Sequence, residues 1–263
     1  MVEISLTGKK ALVCGSTQGI GLAVAQLLAQ AGAHICLMAR NEEVLQKECA
    51  IINQINNHNN SYIVADFSNH QNVRNALNEY VAQHGGFDIL INNNGGPPSG
   101  PIVNAHSDEF MKAFVQHTLC NHELAQGCLP HMINNGFGRI VNIISTSVKQ
   151  PLPNLGVSNT IRASVANWAK TLASEVGQYN ITVNNVLPGA TLTGRLKTII
   201  GNKAEKTNQA YALIENEMLH EIPMKRFANP NEIASAVLFL VSPLADYVNG
   251  INLPVDGGRT GNL

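Results

Sequence analysis

Residues 11–40 read ALVCGSTQGIGLAVAQLLAQAGAHICLMAR. The apolar run at 11–14 has strand length, and a glycine-rich turn follows it. Apolar residues then recur at three- and four-residue spacing, which predicts a helix over 20–31. Residues 34–38 predict the next strand. A strand, a turn, a helix and a second strand form one βαβ unit, whose strands lie parallel. The alternation continues outward, with strands predicted at 62–65, 89–91, 140–144, 182–186 and 251–255. Helical patterns occupy 42–56, 72–84, 107–134, 155–176 and 232–241. No linker, repeat or composition break divides the chain, so residues 1–263 read as one α/β domain with a doubly wound sheet of about seven parallel strands. Two segments resist the pattern, 95–101 (GGPPSGP) and 189–221. Both directly follow strands, and ligands of open α/β sheets bind outside the carboxyl ends of the strands. Both should therefore flank the crevice.

The 263 residues are 44% hydrophobic and only 13% charged, about half the charge of an ordinary soluble domain. With 17 basic against 18 acidic residues, bulk charge offers nothing to a nucleic acid or an acidic membrane. No apolar run has the length of a membrane span, and the first residues carry no export signal. The five cysteines form no CxxC pair; Cys14 and Cys36 sit in strand runs, where free thiols pack as small hydrophobes. A cytoplasmic protein is the expectation.

The turn Gly15-Ser16-Thr17-Gln18-Gly19-Ile20-Gly21 has GxxxGxG spacing. Its glycines allow a tight turn and a close backbone approach to a pyrophosphate, whose charge suits a helix N-terminus. The second strand run ends in Ala39-Arg40. A cofactor without a 2′-phosphate usually meets an acid at this place, whereas Arg40 can pair with that phosphate. NADP(H) is therefore favoured over NAD(H). Asp66 can accept from an adenine amino group or cap the next helix, and Phe67 follows it at the same rim. Asn93, Asn94 and Gly95 follow the fourth strand, where amides can brace the cofactor floor or simply form a turn.

These pieces together resemble the short-chain dehydrogenase/reductase family. The likeness rests on GSTQGIG, Asp66, INNNGG (91–96), RIVNIIS (139–145), VNNVLPG (183–189), RFANPNEIASAVLFL (226–240) and VNGINLPVDGG (248–258), in the family's order. It implies a Rossmann-like fold, NAD(P)(H) binding that includes Pro188 and Gly189, and a homo-oligomer, commonly a tetramer. It also implies a Ser, a Tyr, a Lys and a helix Asn that together reduce a carbonyl. Ser145 falls on the Ser position, Ser158 on the Tyr, Arg162 on the Lys and His117 on the Asn. A Ser hydroxyl has a far higher pKa than a phenol at about 10, and Arg stays protonated, so the usual proton relay is disabled. GGPPSGP with VKQPLPNLGVSNTIRAS (148–164) resembles a divergent subgroup near the 3-oxoacyl-carrier-protein reductases, with the same Ser-Asn and Arg replacements.

Each departure admits a plain alternative. Ser145 contacts substrate or caps a turn, and Arg162 holds the nicotinamide ribose or forms an ordinary ion pair. Ser158 leaves room or takes part in chemistry. His117 could donate a proton near neutral pH or be a core histidine. His117 and Cys120 share a helix face, but no third ligand stands at metal spacing, so no metal is expected. Two functions compete: an NAD(P)(H)-dependent oxidoreductase of a small-molecule or acyl-carrier-type carbonyl or alcohol, and a dinucleotide-binding protein with little turnover.

Overall fold

Each of the short aliphatic runs becomes a parallel strand, because a strand covered by helices on both faces can be apolar throughout. The computed structural model describes residues 4–262. In chain order the elements begin β1 (Lys10–Cys14), α1 (Gly19–Gln30), β2 (His34–Ala39), α2 (Glu42–Asn56), β3 (Ser61–Val64) and α3 (His70–His84). They continue with β4 (Ile89–Asn92), α4 (Ser107–Phe114), α5 (Cys120–Asn135), β5 (Gly138–Ile143), α6 (Gly156–Val176) and β6 (Ile181–Pro188). The last are α7 (Gly194–Thr207), α8 (Tyr211–His220), α9 (Pro230–Val241) and β7 (Asn252–Val255).

The 7-stranded sheet has the order β3-β2-β1-β4-β5-β6-β7, and every neighbouring pair is parallel. The direction of winding reverses between β1 and β4, which opens a crevice at their carboxyl ends. Alternate residues of each strand feed opposite layers. Ala11 and Val13 pack with Val24 and Leu28 of α1, Leu45 and Ile52 of α2 and Val237 of α9. Leu12 and Cys14 face Leu77 of α3, Leu124 of α5 and Ala169 of α6. Each such fully buried Leu or Val contributes about 1.5–3 kcal/mol.

Local chemistry sets the helix ends. Asn41 caps α2 by accepting from Val44 N at 3.0 Å, and Asn57 closes it in the left-handed region. Asn229 and Glu232 form a reciprocal capping box on α9, with Pro230 in its first turn. Four of the strand asparagines build a ladder across the sheet: Asn92 Nδ2 donates to Asn142 Oδ1, Asn142 Nδ2 to Asn185 Oδ1, and Asn185 Nδ2 to Asn252 Oδ1, each at 2.8 Å.

Two expectations need correction. The single helix predicted over 107–134 is interrupted: a π-helical turn, Val115–Leu119, separates α4 from α5. The irregular segment 189–221 contains two helices. Thr193 starts α7, its Oγ1 accepting from Leu196 N at 3.3 Å, and Asn208 ends it in the left-handed region. Leu196, Ile200 and Ala204 then join Ile214, Ile222 and Phe227 in a small core of their own. Among the described residues, no helix is long and apolar enough to cross a membrane.

Candidate functional site

The turn between β1 and α1 packs tightly on the end of β4. Gly15 has φ +56°, and a Cβ there would sit 2.7 Å from Asn93 O. Gln18 provides no side-chain cap to α1, and the first turn of α1 holds no acid. Its free N–H groups and the positive end of the helix dipole are therefore open to an anion. Gly15, Gln18, Gly19 and Ile20 line a cleft of about 850 Å³. Ser16 and Gly21, expected beside them, stand behind the wall instead. Ser16 is fully buried, and its Oγ accepts from Met38 N at 3.1 Å. A Cβ on Gly21 would lie 2.2 Å from Gly15 O, so this glycine lets the helix pack on the turn.

At one end of the cleft stand Arg40, Asp66 and Phe67. Asp66 accepts from Ser68 N at 3.0 Å and Ser68 Oγ at 2.8 Å. These bonds hold its carboxyl below the usual range, and Arg40 adds to the effect. The cap of α3 is Asn69, which accepts from Gln71 N and Asn72 N. Arg40 is exposed and forms no salt bridge among the described residues.

The floor is pinned by amides. Asn93 Nδ2 donates to the carbonyls of Cys14 and Gly15, both at 3.2 Å, which ties β4 to the end of β1. Asn94 Nδ2 donates to Gln116 O at 3.1 Å, and Gln116 Nε2 donates back to Gly95 O at 3.3 Å. Asn93, Asn94 and Gly95 all face the cleft. Pro188 and Gly189 close the opposite wall, with Gly189 N donating to Val255 O at 3.0 Å.

Ser145, Ser158 and Arg162 meet at the other end. Ser145 lies just past β5, where it faces the cleft and caps the following turn, its Oγ accepting from Ser147 N at 3.1 Å. Ser158 and Arg162 share a face of α6 and are buried. Arg162 Nη1 donates to Ile143 O at 3.0 Å. Burial, and then the nearby Arg195 charge, lower the Arg162 pKa to about 10, so the group remains a cation at neutral pH.

His117 corrects an expectation. It sits on the π-helical turn, is 2% exposed and does not line the cleft. Burial first, and the Arg162 charge second, push its pKa down to about 2. Its Nε2 has no hydrogen-bond partner among the described residues. The ring is a neutral core group and cannot serve as the acid. Among the described residues, no Tyr, Lys or His lines the cleft, and Asp66 is its one carboxylate.

Sequence reasoning missed Thr193 and Arg195, both in the cleft wall. Thr193 Cγ2 lies 3.2 Å from the point a Cβ on Gly19 would occupy, so the segment after β6 reaches across the glycine turn. Arg195 Nη2 donates to Pro97 O at 2.6 Å, joining this segment to GGPPSGP. The signal was Thr193-Gly194-Arg195, a cap followed by a cation just after Pro188-Gly189.

A cleft with an uncapped helix N-terminus, a backbone cradle and a free arginine at one end suits a dinucleotide. A family model described as enoyl-(acyl carrier protein) reductase matches residues 15–260. The chain is 32% identical over 257 residues to the 3-oxoacyl-(acyl-carrier-protein) reductase of Vibrio cholerae serotype O1, covering 97% of this chain and 98% of that one. It is 31% identical over 261 residues to the 7alpha-hydroxysteroid dehydrogenase of Escherichia coli strain K12, covering 99% of this chain and 98% of that one. The L-sorbose reductase from Gluconobacter frateurii, solved with NADPH and L-sorbose, superposes with a TM-score of 0.93 at 30% identity, covering 100% of both chains. With its sheet order, its glycine turn and these relatives in agreement, the chain belongs to the short-chain dehydrogenase/reductase family of NAD(P)-dependent oxidoreductases.

Proposed function

We propose that this protein is an NADP(H)-dependent oxidoreductase of a carbonyl or alcohol substrate, working without the family's Tyr and Lys. The observation that carries the reading is one continuous cleft. It runs from Arg40, past the open end of α1, to Ser145, Ser158 and a buried, charged Arg162. The fit to the cofactor rests on the uncapped start of α1, whose first turn holds no acid, and on Arg40, which forms no salt bridge among the described residues. Arg40 would take the 2′-phosphate, the α1 N-terminus the pyrophosphate, and Asp66 and Phe67 the adenine side. Asn93, Asn94, Gly95, Pro188 and Gly189 would frame the nicotinamide half.

When bound, NADPH supplies the hydride that reaches the carbonyl carbon. Ser145 and Ser158 position the carbonyl oxygen through their hydroxyls. Arg162 braces the ribose and places a fixed positive charge where negative charge gathers on that oxygen. It stays protonated and relays nothing, so solvent water supplies the proton to the oxygen. The segment 189–221 covers the substrate, and the unit of function is a homo-oligomer.

A second reading is favoured by one observation: no side chain that titrates near neutral pH faces the cleft. Such a protein would bind the dinucleotide and turn over little. Fluorescence titration and turnover on a ketone panel separate the two. We expect NADPH to bind at micromolar levels, at least tenfold tighter than NADH, and Arg40→Ala to remove that preference, a loss of about 1.4 kcal/mol. We expect slow turnover by the native chain. If only the Ser158→Tyr, Arg162→Lys double variant oxidises NADPH, the binding-protein reading stands; if neither cofactor binds below a millimolar, both readings fail.

A further inference from the structure

The carboxyl-end wall of the cleft holds two cations that form no salt bridge among the described residues. A Cβ built on Gly96 would lie 3.6 Å from Arg162 Nη2 and 3.7 Å from Arg195 Nη2. Two guanidinium groups thus converge on one glycine, at a place where no side chain fills the space between them. Arg162 is 7% exposed, and its one hydrogen bond runs from Nη1 to the Ile143 carbonyl, which leaves Nη2 turned to this point. Arg195 is fixed by the Pro97 carbonyl at 2.6 Å. Neither forms a salt bridge among the described residues. The one carboxylate of the main cleft, Asp66, belongs to the Arg40 end.

Like charges brought together repel, and the buried Arg162 also loses hydration. Such an arrangement is stable when an anion completes it, and the planar fork of Arg matches the two oxygens of a carboxylate. The cofactor pyrophosphate has its own place at the uncapped start of α1. Arg195 lines the main cleft and also an adjoining cavity of about 240 Å³, with Pro98, Ser99, Asn202 and Lys206. No acid lines that cavity either.

We infer that the substrate carries a carboxylate close to its reacting carbonyl, held between Arg162 and Arg195 over Gly96, with the rest of the molecule extending into the cavity beside Lys206. The substrate class is then a free oxo acid or hydroxy acid, in place of a neutral ketone or a carrier-bound thioester. This rests on the oxidoreductase reading for the identity of the reacting group. The anion site itself rests only on the two arginines.

The test measures binding with and without turnover. Protein saturated with NADP⁺ is titrated by calorimetry with pyruvate, acetoacetate and levulinate, each beside its methyl ester, and with inorganic phosphate. The three acids vary the distance from carboxylate to carbonyl. We expect at least one acid to bind at least tenfold tighter than its ester. Arg195→Ala should abolish that difference, Arg195→Lys should restore part of it, and NADPH affinity should stay within twofold in both. Arg195 is exposed, so its loss leaves the core intact, and a thermal melt checks this.

Equal binding of every acid and its ester, or no acid bound at 20 mM, overturns the inference. A parallel loss of NADPH affinity in Arg195→Ala also overturns it, because the anion would then be the cofactor's own. Phosphate binding that matches the best acid assigns the site to oxyanions at large and sinks the carboxylate claim. Should NADP(H) fail to bind at all, the same titration on the cofactor-free protein decides the anion site while the oxidoreductase reading falls separately.

Discussion

At the scale of single residues, His117 has a measurable cost. Its folded pKa of about 2 lies far below the value of about 6.5 for an exposed histidine. The neutral ring is therefore favoured by folding, and the contribution is fully present above pH 6.5. As pH falls the unfolded chain takes up a proton that the folded chain refuses, so stability drops by about 1.4 kcal/mol per pH unit down to about pH 2. A His117→Asn variant has nothing to titrate there. We expect urea unfolding from pH 6.5 to 4.5 to fall more steeply for the native chain than for the variant, by one proton's worth of slope. Equal slopes would show that His117 is solvated in the folded protein. The same residue shows where sequence reading stops. The family resemblance put His117 at the Asn position, but only the packing around the π-helical turn reveals that it is neutral. Arg162 was legible as a cation of the site and Arg195 was not; that they converge on Gly96 depends on two elements meeting in space.

At the scale of elements, the strands and the first helices were legible because aliphatic runs and helical spacing are local signals. The second helix even has the predicted bounds, since Asn41 and Asn57 mark both ends. The helices α7 and α8 were not legible: their apolar residues serve a small separate core, and Asn208 breaks the pattern between them. The asparagine ladder was invisible for another reason. Asn92, Asn142, Asn185 and Asn252 lie far apart in sequence, and only strand register aligns them. A buried amide chain of this kind strengthens the sheet when each member is satisfied and weakens it sharply when one is removed. Asn142 is fully buried at the middle of the ladder. Asn142→Ala would strand Asn92 Nδ2 and Asn185 Oδ1 and should cost about 3 kcal/mol, read as a lower urea midpoint. The ladder crosses β4, β5 and β6, the strands that deliver Asn93, Ser145 and Pro188 to the cleft, so NADPH affinity should fall as well. A loss below 1 kcal/mol would mean that water replaces the missing amide.

At the scale of the whole molecule, low charge and exposed apolar side chains point the same way. Only 13% of the chain is charged, yet many large apolar groups stand in solvent, two clusters of them among the rest. Phe239, Leu244 and Tyr247 are 38%, 56% and 103% exposed, close to the β7 edge of the sheet. Ile102, Val103 and Met111 are 55%, 86% and 61% exposed, at the start of α4. An uncovered sheet edge and apolar side chains beside it invite pairing with another copy, and two such faces allow a closed tetramer with two kinds of contact. Assembly through both faces would account for a surface that needs few charges. Sedimentation velocity at micromolar protein should therefore show a tetramer. Tyr247→Asp, which places a charge in one face only, should leave a folded species of half that mass. The cleft opens at the carboxyl ends of the strands, so the half-assembled variant should keep its affinity for NADPH. A native chain that sediments as a folded monomer at the same concentration would leave the low charge without a cause and remove the tetramer.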